Sequence, residues 1–207
     1  MCKSGMNEIA MNQIQTIQQT LERLSSLLRA EEWKIGAEYN LQPIQLQMLR
    51  YLHICNRYSN TPIAVTDYFA LTKGTASQSL KLLEAKGLIS KQPDAKDGRL
   101  VHLAVTPRGV EVLAAIQQQS LLPRVCETME SAEQQAIGTA LVDLLRLMQR
   151  AEPIKSYGVC ATCRYHQVEA EGKFRCGLTG EPLLPEETTR ICREHCESIN
   201  DESRKTA

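Results

Sequence analysis

The sequence predicts a mainly α-helical fold that contains one small β-hairpin and ends in a small, irregular, cysteine-rich module. Two observations predict it. Apolar residues recur at helical spacing over most of residues 6–150, and five of the eight cysteines fall between positions 160 and 196. With 207 residues, the chain is long enough for one well-buried domain and an appendage.

The first predicted element is a long helix over residues 6–30. Its apolar residues recur at intervals of three and four, which places them in a narrow stripe along one face. The stripe consists of Ala10, Ile14, Ile17, Leu21, Leu24 and Leu28. Such a stripe either packs onto its own domain or forms a subunit interface, and its regularity at a chain terminus favours the interface.

Three further helices are predicted over residues 41–56, over residues 63–70 and between Thr72 and Gly87. In the last of these, Thr72 is typical of an N-cap and Gly87 of a left-handed C-terminal cap. Its expected buried stripe consists of Ala76, Leu80, Leu82 and Leu83. The opposite face is polar or basic and carries no carboxylate, which suits the DNA major groove.

A hairpin is predicted directly after this helix. Residues 94–99 are rich in Asp and Gly, and apolar residues alternate through residues 100–105. A basic hairpin that follows two helices joined by a tight turn is typical of a winged helix-turn-helix. Lys96 and Arg99 lie at the hairpin tip, where Arg99 can enter the minor groove. Asp97 is expected to hold the Arg99 guanidinium in place.

Two long helices complete the predicted helical part. The first begins at Thr106-Pro107, with Thr as N-cap and Pro at the first position, and is expected to continue toward Met129. The second begins at the capping-box sequence of residues 131–134. Its apolar face consists of Ile137, Leu141, Leu144, Leu145 and Met148. Both helices are expected to contribute to a dimer interface.

This order of elements resembles the MarR family of winged-helix regulators over roughly residues 10–150. The motifs that carry the resemblance are Leu71-Thr-Lys-Gly-Thr-Ala-Ser, Leu83-Glu-Ala-Lys-Gly-Leu-Ile89, Asp97-Gly-Arg99 and Val105-Thr-Pro-Arg-Gly109. The resemblance implies a homodimer whose first and last helices interlock. Its two winged helices would bind a near-palindromic operator in double-stranded DNA.

The resemblance also assigns DNA contacts by position. The residues placed in the major groove are Thr72, Lys73, Thr75, Ser77, Gln78 and Lys81, and those of the wing tip are Lys96 and Arg99. Many relatives have Arg where this chain has Gln78. Because Gln prefers adenine edges and Arg prefers guanine, a different operator preference is expected. Family members commonly bind small ligands beside the dimer helices, so a small-molecule effector is an open alternative as the signal.

The cysteine-rich module begins after residue 152. In Cys160-Ala-Thr-Cys163 two thiolates lie on one turn, close enough to share a metal, and Cys176 and Cys192 would close the site from distant loops. The segment has few large apolar side chains, so a bound metal is the natural way to stabilise it. In a reducing compartment, clustered cysteines favour metal binding over disulfides.

The sequence leaves the identity of the metal open. The four cysteines provide one close pair and two single ligands, a spacing that iron–sulfur clusters tolerate. The pattern Cys-x-x-Cys-Arg-Tyr followed by two lone cysteines also resembles small bacterial modules, some of which carry four-iron–four-sulfur clusters. A four-iron–four-sulfur cluster is therefore favoured. Zinc is the alternative, with Cys192 and either His195 or Cys196 as the second close pair.

The predicted function is a dimeric, sequence-specific DNA-binding transcriptional regulator that responds to redox state or iron through this cluster. The alternative is a regulator of the same type with a structural zinc module and a small-molecule inducer. A third hypothesis, an electron carrier or enzyme, has little support. No paired carboxylates, nucleophile with a base, or Gly-rich phosphate loop points to catalysis, so no enzymatic activity is predicted.

Charge and domain organisation agree with this prediction. The formal net charge is zero, but residues 41–110 hold nine Lys/Arg against four Asp/Glu. The sequence has no apolar run of membrane-spanning length and no signal peptide, which predicts a cytoplasmic protein. The expected divisions are an N-terminal dimerisation region (1–40), a winged helix-turn-helix (41–106), C-terminal dimerisation helices (107–151) and a cysteine-rich metal-binding module (152–207).

Overall fold

Seven α-helices and seven short strands make up the part of the chain that the computed structural model describes, residues 3–95, 97–151 and 155–197. The helices are α1 (Lys3–Glu38), α2 (Pro43–Ile54), α3 (Pro62–Tyr68), α4 (Lys73–Ala85), α5 (Pro107–Gln119), α6 (Leu121–Cys126) and α7 (Ser131–Ala151). The strands are β1 (Ile89–Pro93), β2 (Val101–Val105), β3 (Gly158–Val159), β4 (His166–Val168), β5 (Phe174–Cys176), β6 (Pro182–Leu183) and β7 (Ile191–Cys192).

The hydrophobic core lies between α2, α4, α5 and the hairpin formed by β1 and β2. Its largest fully buried apolar side chains are Leu46, Met48, Leu49, Tyr51, Leu80, Leu83, Ile89, Leu103 and Ile116. The two strands pair antiparallel, with Ile89 opposite Val105 and Pro93 opposite Val101. The predicted mainly helical fold with a small β-wing is therefore confirmed.

Helix α4 begins and ends where its caps predict. The Thr72 hydroxyl accepts a hydrogen bond from the Thr75 N–H at 3.2 Å. Gly87 has a φ of +68°, and the Leu88 N–H donates to the Leu83 carbonyl at 3.0 Å, which closes the last turn. The prediction that Leu82 is buried is wrong, because it lies about 100° around the helix from Leu83 and is exposed.

The helix that begins at Pro107 does not continue to Met129 as the sequence analysis expected. It ends at Gln119, and Ser120 is extended, with φ −68° and ψ 134°, before α6 begins. Pro123 explains the break, because in a continuous helix its ring would clash with the carbonyl four residues earlier. The capping box of α7 is also displaced by one residue, since the Glu133 carboxylate accepts from the N–H of Glu130 at 3.0 Å.

Helices α1 and α7 expose most of their apolar stripes in the single chain. On α1, Ile14, Ile17, Leu24 and Leu28 are between 41% and 64% exposed. The C-terminal half of α1 is anchored, since the buried Glu32 carboxylate accepts from Arg50 at 3.0 Å and from Gln47 at 2.6 Å. None of the helices in the described ranges is long and apolar enough to cross a membrane.

Residues 155–197 form a compact tail of short strands and 3-10 turns. Strands β3 and β7 pair antiparallel, and β4, β5 and β6 form a three-stranded sheet. The tail docks onto the junction loop, which we define as residues 55–61 between α2 and α3. Cys55 and Ile191 form a parallel bridge, and the Asn56 N–H donates to the Ile191 carbonyl at 2.9 Å.

The tail also shares the core of the winged helix. Tyr157 and Ile191 pack against the main hydrophobic cluster. The Tyr157 ring stands edge-on to Tyr68, with centroids 5.0 Å apart, and its hydroxyl donates to the Ala64 carbonyl at 2.9 Å. The tail is therefore fastened to α3 and to the core of the winged helix.

Replacing Tyr157 with Phe tests this attachment. The substitution keeps the ring packing and removes one hydrogen bond, so we expect the free energy of unfolding to fall by about 0.5–1.5 kcal/mol. Equilibrium urea unfolding measures the change. Tyr39→Phe is the control, because Tyr39 also packs against the core but has no hydroxyl hydrogen bond in the described residues. Equal losses in both variants would contradict a specific role for the Tyr157 hydroxyl.

Candidate functional site

The outward face of α4 presents the side chains that the sequence assigned to the major groove. All six are exposed: Thr72, Lys73, Thr75, Ser77, Gln78 and Lys81. The hydroxyls of Thr72 and Thr75 lie 2.9 Å apart and cap the helix, so part of their hydrogen-bonding capacity is used. Ser77, Gln78 and Lys81 make no side-chain hydrogen bond within the described residues and are available to a ligand.

The wing tip differs in one detail from the expectation. The Asp97 carboxylate accepts from the backbone N–H of Arg99 at 3.0 Å, and Asp94 accepts from the N–H of Asp97 at 2.8 Å. Asp97 therefore shapes the turn instead of holding the guanidinium, because a short carboxylate reaches the N–H two residues on more readily. The Arg99 side chain is exposed. Lys96 lies outside the described residues.

The second candidate site is a cavity that we call the thiol cavity. All four cysteines predicted as metal ligands line it: Cys160, Cys163, Cys176 and Cys192. The other residues of its wall are Asn56, Tyr58, Tyr165, His166, Leu178, Thr179, Leu183 and Glu194. The space free of protein atoms is about 380 Å³ including the open mouth, but the cavity volume itself is about 20 Å³, room for about one water molecule. Residues distant in sequence thus meet around one space.

Local structure explains how the four cysteines come together. Cys160 begins a 3-10 turn and Cys163 directly follows it, and the Cys163 N–H donates to the Cys160 carbonyl at 3.0 Å. Cys176 ends β5, opposite His166 of β4. Cys192 ends β7, where it pairs with Gly158 just before the turn. The 3-10 turn therefore brings two cysteines to the cavity, and β5 and β7 bring one each.

The thiol cavity favours the protonated forms of Cys160 and Cys192. Burial, together with the neighbouring Cys192 and Cys163 thiols, raises the pKa of the Cys160 thiol to about 11. Burial also raises the pKa of Cys192, which the facing Asn56 amide partly offsets by favouring the thiolate. Metal binding would displace these protons, as is general for thiolate sites. A set of four soft sulfur donors fits an iron–sulfur cluster or zinc.

The alternative ligands His195 and Cys196 lie beside the cavity and do not line it. The His195 Nε2 is 3.0 Å from the Thr162 hydroxyl. Cys196 faces Arg164, and its backbone N–H donates to the Cys163 sulfur at 3.4 Å. Within the described ranges, no three His, Cys, Asp or Glu side chains are placed to hold a single metal ion. The four thiols surround a space and do not converge on one point.

Sequence reasoning missed the contribution of the junction loop to this cavity. Asn56 is 2% exposed, and its Nδ2 faces the Cys192 sulfur but makes no hydrogen bond of normal geometry among the described residues. Leaving such a group unpaired costs about 1–3 kcal/mol. The Tyr58 hydroxyl donates to the Glu181 carboxylate at 2.7 Å. His166, with its Nδ1 3.8 Å from the Cys160 sulfur, was also missed. No sequence pattern marks these three residues.

Comparison with known proteins concerns mainly the winged-helix part of the chain. A model of the MarR family matches residues 39–100, which include α2, α3, α4, β1 and the wing tip. These residues are therefore similar to the winged helix of MarR-family proteins. Proteins of the MarR family are transcription regulators and not enzymes. No curated protein matches the chain.

Solved structures of MarR-type proteins resemble this chain over more than the segment that the family model matches. A MarR transcriptional regulator from Methanosarcina mazei Go1 is 16% identical, with a TM-score of 0.57 over 67% of this chain and 99% of that one. FabT of Streptococcus pneumoniae, in complex with DNA, is 22% identical, with a TM-score of 0.53 over 67% and 99%. A MepR–DNA complex of S. aureus is 19% identical, with a TM-score of 0.51 over 62% and 96%.

The exposed Gln78 of α4 can be used to test whether this face of the helix reads DNA bases. Gln78→Arg replaces an adenine-preferring side chain with a guanine-preferring one, so we expect selected duplexes to gain guanine at one position of each half-site. Selection from a random duplex pool with the full-length protein measures this change. Arg124→Gln, on α6 outside the winged helix, is the control. An unchanged consensus for Gln78→Arg would show that this face does not read bases.

Proposed function

We propose that this protein is a dimeric, sequence-specific DNA-binding transcriptional regulator whose operator affinity depends on a four-iron–four-sulfur cluster held by Cys160, Cys163, Cys176 and Cys192. One observation carries the proposal: the four cysteines line a single cavity whose wall is completed by Asn56 and Tyr58 of the junction loop, between α2 and α3 of the winged helix. A bound cluster would therefore contact the DNA-binding domain directly.

The DNA-binding part of the proposal is supported by α4 and by the comparisons. Helix α4 buries one face against the core and exposes uncharged polar and lysine side chains on the other. An α-helix of this kind fits the major groove, where polar side chains distinguish base pairs. Two of the similar structures, FabT and MepR, were solved with DNA.

The dimer is supported by the exposed apolar stripes of α1 and α7. On α7, Ile137, Leu141, Leu145 and Met148 are between 46% and 59% exposed and recur at helical spacing. Exposed apolar stripes of this length are typical of faces that are covered by a partner. A second copy of the chain would bury both stripes and place two winged helices for a near-palindromic operator.

The regulatory part is supported by contacts that connect the cavity with the wing. When bound, the cluster would supply a redox centre that is sensitive to oxidants and to iron supply. The cysteines hold it, and the junction loop lies between them and the hairpin. The Asn60 carbonyl accepts from the Leu103 N–H at 2.7 Å, and the Asn60 side chain is 2.6 Å from the His102 Nδ1.

A second candidate function keeps the DNA-binding dimer but has structural zinc and a small-molecule inducer. It is supported by a groove of about 800 Å³ between the wing and the tail. Arg57, Asn60, His102 and Arg193 are among its lining residues. A groove of this size can accommodate a small ligand.

Metal content distinguishes these two functions. We expect anaerobically purified protein to be brown, with visible sulfur-to-iron absorption and about four iron atoms per chain. Cys160→Ser and Cys192→Ser should each lose most of the iron, because each removes one ligand. Cys126→Ser is the control, since Cys126 is not in the cavity wall. Colourless protein that carries zinc would contradict the cluster and favour the second function.

Operator titration tests the coupling. We expect the cluster-loaded and cluster-free proteins to differ in affinity for a selected duplex by about 5–150-fold, the usual range for coupled sites. Fluorescence anisotropy at one fixed salt concentration measures both affinities, because protein–DNA affinity depends strongly on salt. Cys126→Ser should reproduce the wild-type difference. Equal affinities in the two states would exclude regulation by the cluster.

A charge on the α7 stripe tests the dimer. Leu141→Asp would bury an unpaired carboxylate in the interface, so we expect the chain to become monomeric and to lose operator affinity. Sedimentation velocity measures the mass. Thr139→Asp introduces the same charge about 160° away around the helix, on the opposite face, and should stay dimeric. A dimeric Leu141→Asp variant would show that the interface lies elsewhere.

A further inference from the structure

Asn56 is a buried amide whose two ends face different parts of the molecule. It is 2% exposed, and it lies in the wall of the thiol cavity together with the four cysteines. Its backbone N–H donates to the Ile191 carbonyl at 2.9 Å, one residue before Cys192. Asn56 therefore lies in the junction loop of the winged helix and also forms part of the wall of the thiol cavity.

The hydrogen bonds of Asn56 fix the orientation of its amide. Oδ1 accepts from the Tyr58 N–H at 3.2 Å and from the Ser59 hydroxyl at 2.7 Å. A flipped amide would place N–H groups against the Tyr58 donor, so this orientation is required. Nδ2 is then directed at the Cys192 sulfur in the cavity wall, and it makes no hydrogen bond of normal geometry within the described residues.

A buried N–H donor without a hydrogen bond of normal geometry indicates a missing partner. The cavity that Nδ2 faces is lined by sulfur atoms, and sulfurs of metal-bound thiolates and of iron–sulfur clusters are hydrogen-bond acceptors. An occupied site would supply the well-placed acceptor that Nδ2 lacks. The amide would then connect the contents of the cavity with the hydrogen bonds of the junction loop.

From Asn56 the junction loop reaches the wing within four residues. The Ser59 hydroxyl accepts from the Arg193 N–H of the tail at 2.8 Å, and the Ser59 carbonyl accepts from the Tyr51 hydroxyl at 2.9 Å. Asn60 bonds to Leu103 and His102 of β2. The His102 Nε2 is 3.0 Å from the carboxylate of Asp94, the residue after β1. A change at Asn56 has a short, hydrogen-bonded route to the hairpin.

We propose that Asn56 is the positioning residue that couples the thiol cavity to the winged helix: its Nδ2 donates to a sulfur of the occupied site while its Oδ1 holds the junction loop. This inference rests on the proposed function, since it requires the cluster. The Asn56 amide would thus affect both the reduction potential of the cluster and, through the junction loop, the position of the hairpin.

Two substitutions in the full-length protein separate the two ends of the amide. Asn56→Ser removes the Nδ2 donor and leaves a hydroxyl that can accept from the Tyr58 N–H, with no change in charge. Ser59→Ala keeps the amide and removes one bond of its Oδ1 and the bond from Arg193. The measurements are the iron content, the reduction potential of the cluster and the ratio of operator affinities between loaded and cluster-free protein.

The expected results differ between the variants. Asn56→Ser should retain iron but have a lower reduction potential, because N–H···S bonds stabilise the more negative reduced state. The operator affinities of its cluster-loaded and cluster-free forms should differ by no more than about twofold. Ser59→Ala should keep the wild-type potential while its ratio falls. Unchanged potential and unchanged ratio in iron-loaded Asn56→Ser would overturn the inference.

A third variant separates the loss of the Nδ2 donor from the loss of the loop's hydrogen bonds. Asn56→Asp has the same shape, keeps both acceptor bonds of the loop and presents no donor to the cavity. Its cluster-free form should bind the operator like the wild type, while its affinity ratio falls. If it retains the full ratio, the inference is wrong. Wild-type protein without iron, or with equal affinities in its two states, would instead remove the proposed function, and the inference with it.

Discussion

The backbone pairing of Cys55 and Asn56 with Ile191 is the contact on which the arrangement of this protein depends. It brings two chain segments that are far apart in sequence into direct register. The hydrogen bond itself is worth little, about 0.5–1.5 kcal/mol. Its importance is geometric, because it places Cys192 against the junction loop of the winged helix, so that the tail and the loop together enclose the thiol cavity.

The junction loop is short, and neighbours hold it on both sides. Toward the tail, the Arg57 guanidinium donates to the Pro182 carbonyl at 2.7 Å and pairs with Glu187 at 3.5 Å. Toward the wing, Asn60 is bonded to β2. A seven-residue loop held on both sides has little slack, so a displacement on one side is transmitted to the other. Two discrete arrangements of such a packed element are what regulation of DNA affinity requires.

Much of the fold could be predicted from interactions between residues that are close in sequence. The contacts between distant segments could not. Thr72 and Gly87 mark the ends of α4 because each satisfies free backbone groups of its own helix. Pro123 predicts the break before α6, whereas the apolar residues at helical spacing on both sides of it suggest one continuous helix. The four cysteines were recognisable by type and spacing. Asn56 was not, because a single polar residue in a loop shows nothing of the tail that packs on it.

The shared core has a consequence for how the protein is made. Chains leave the ribosome from the N terminus, and domains fold as they emerge. The winged helix is therefore complete while the junction loop still lacks its neighbours, and the surface that Tyr157 and Ile191 later cover is open to water. Only the synthesis of residues 155–197 closes it, so a message cut short before residue 155 would yield a winged helix without the tail that holds its loop.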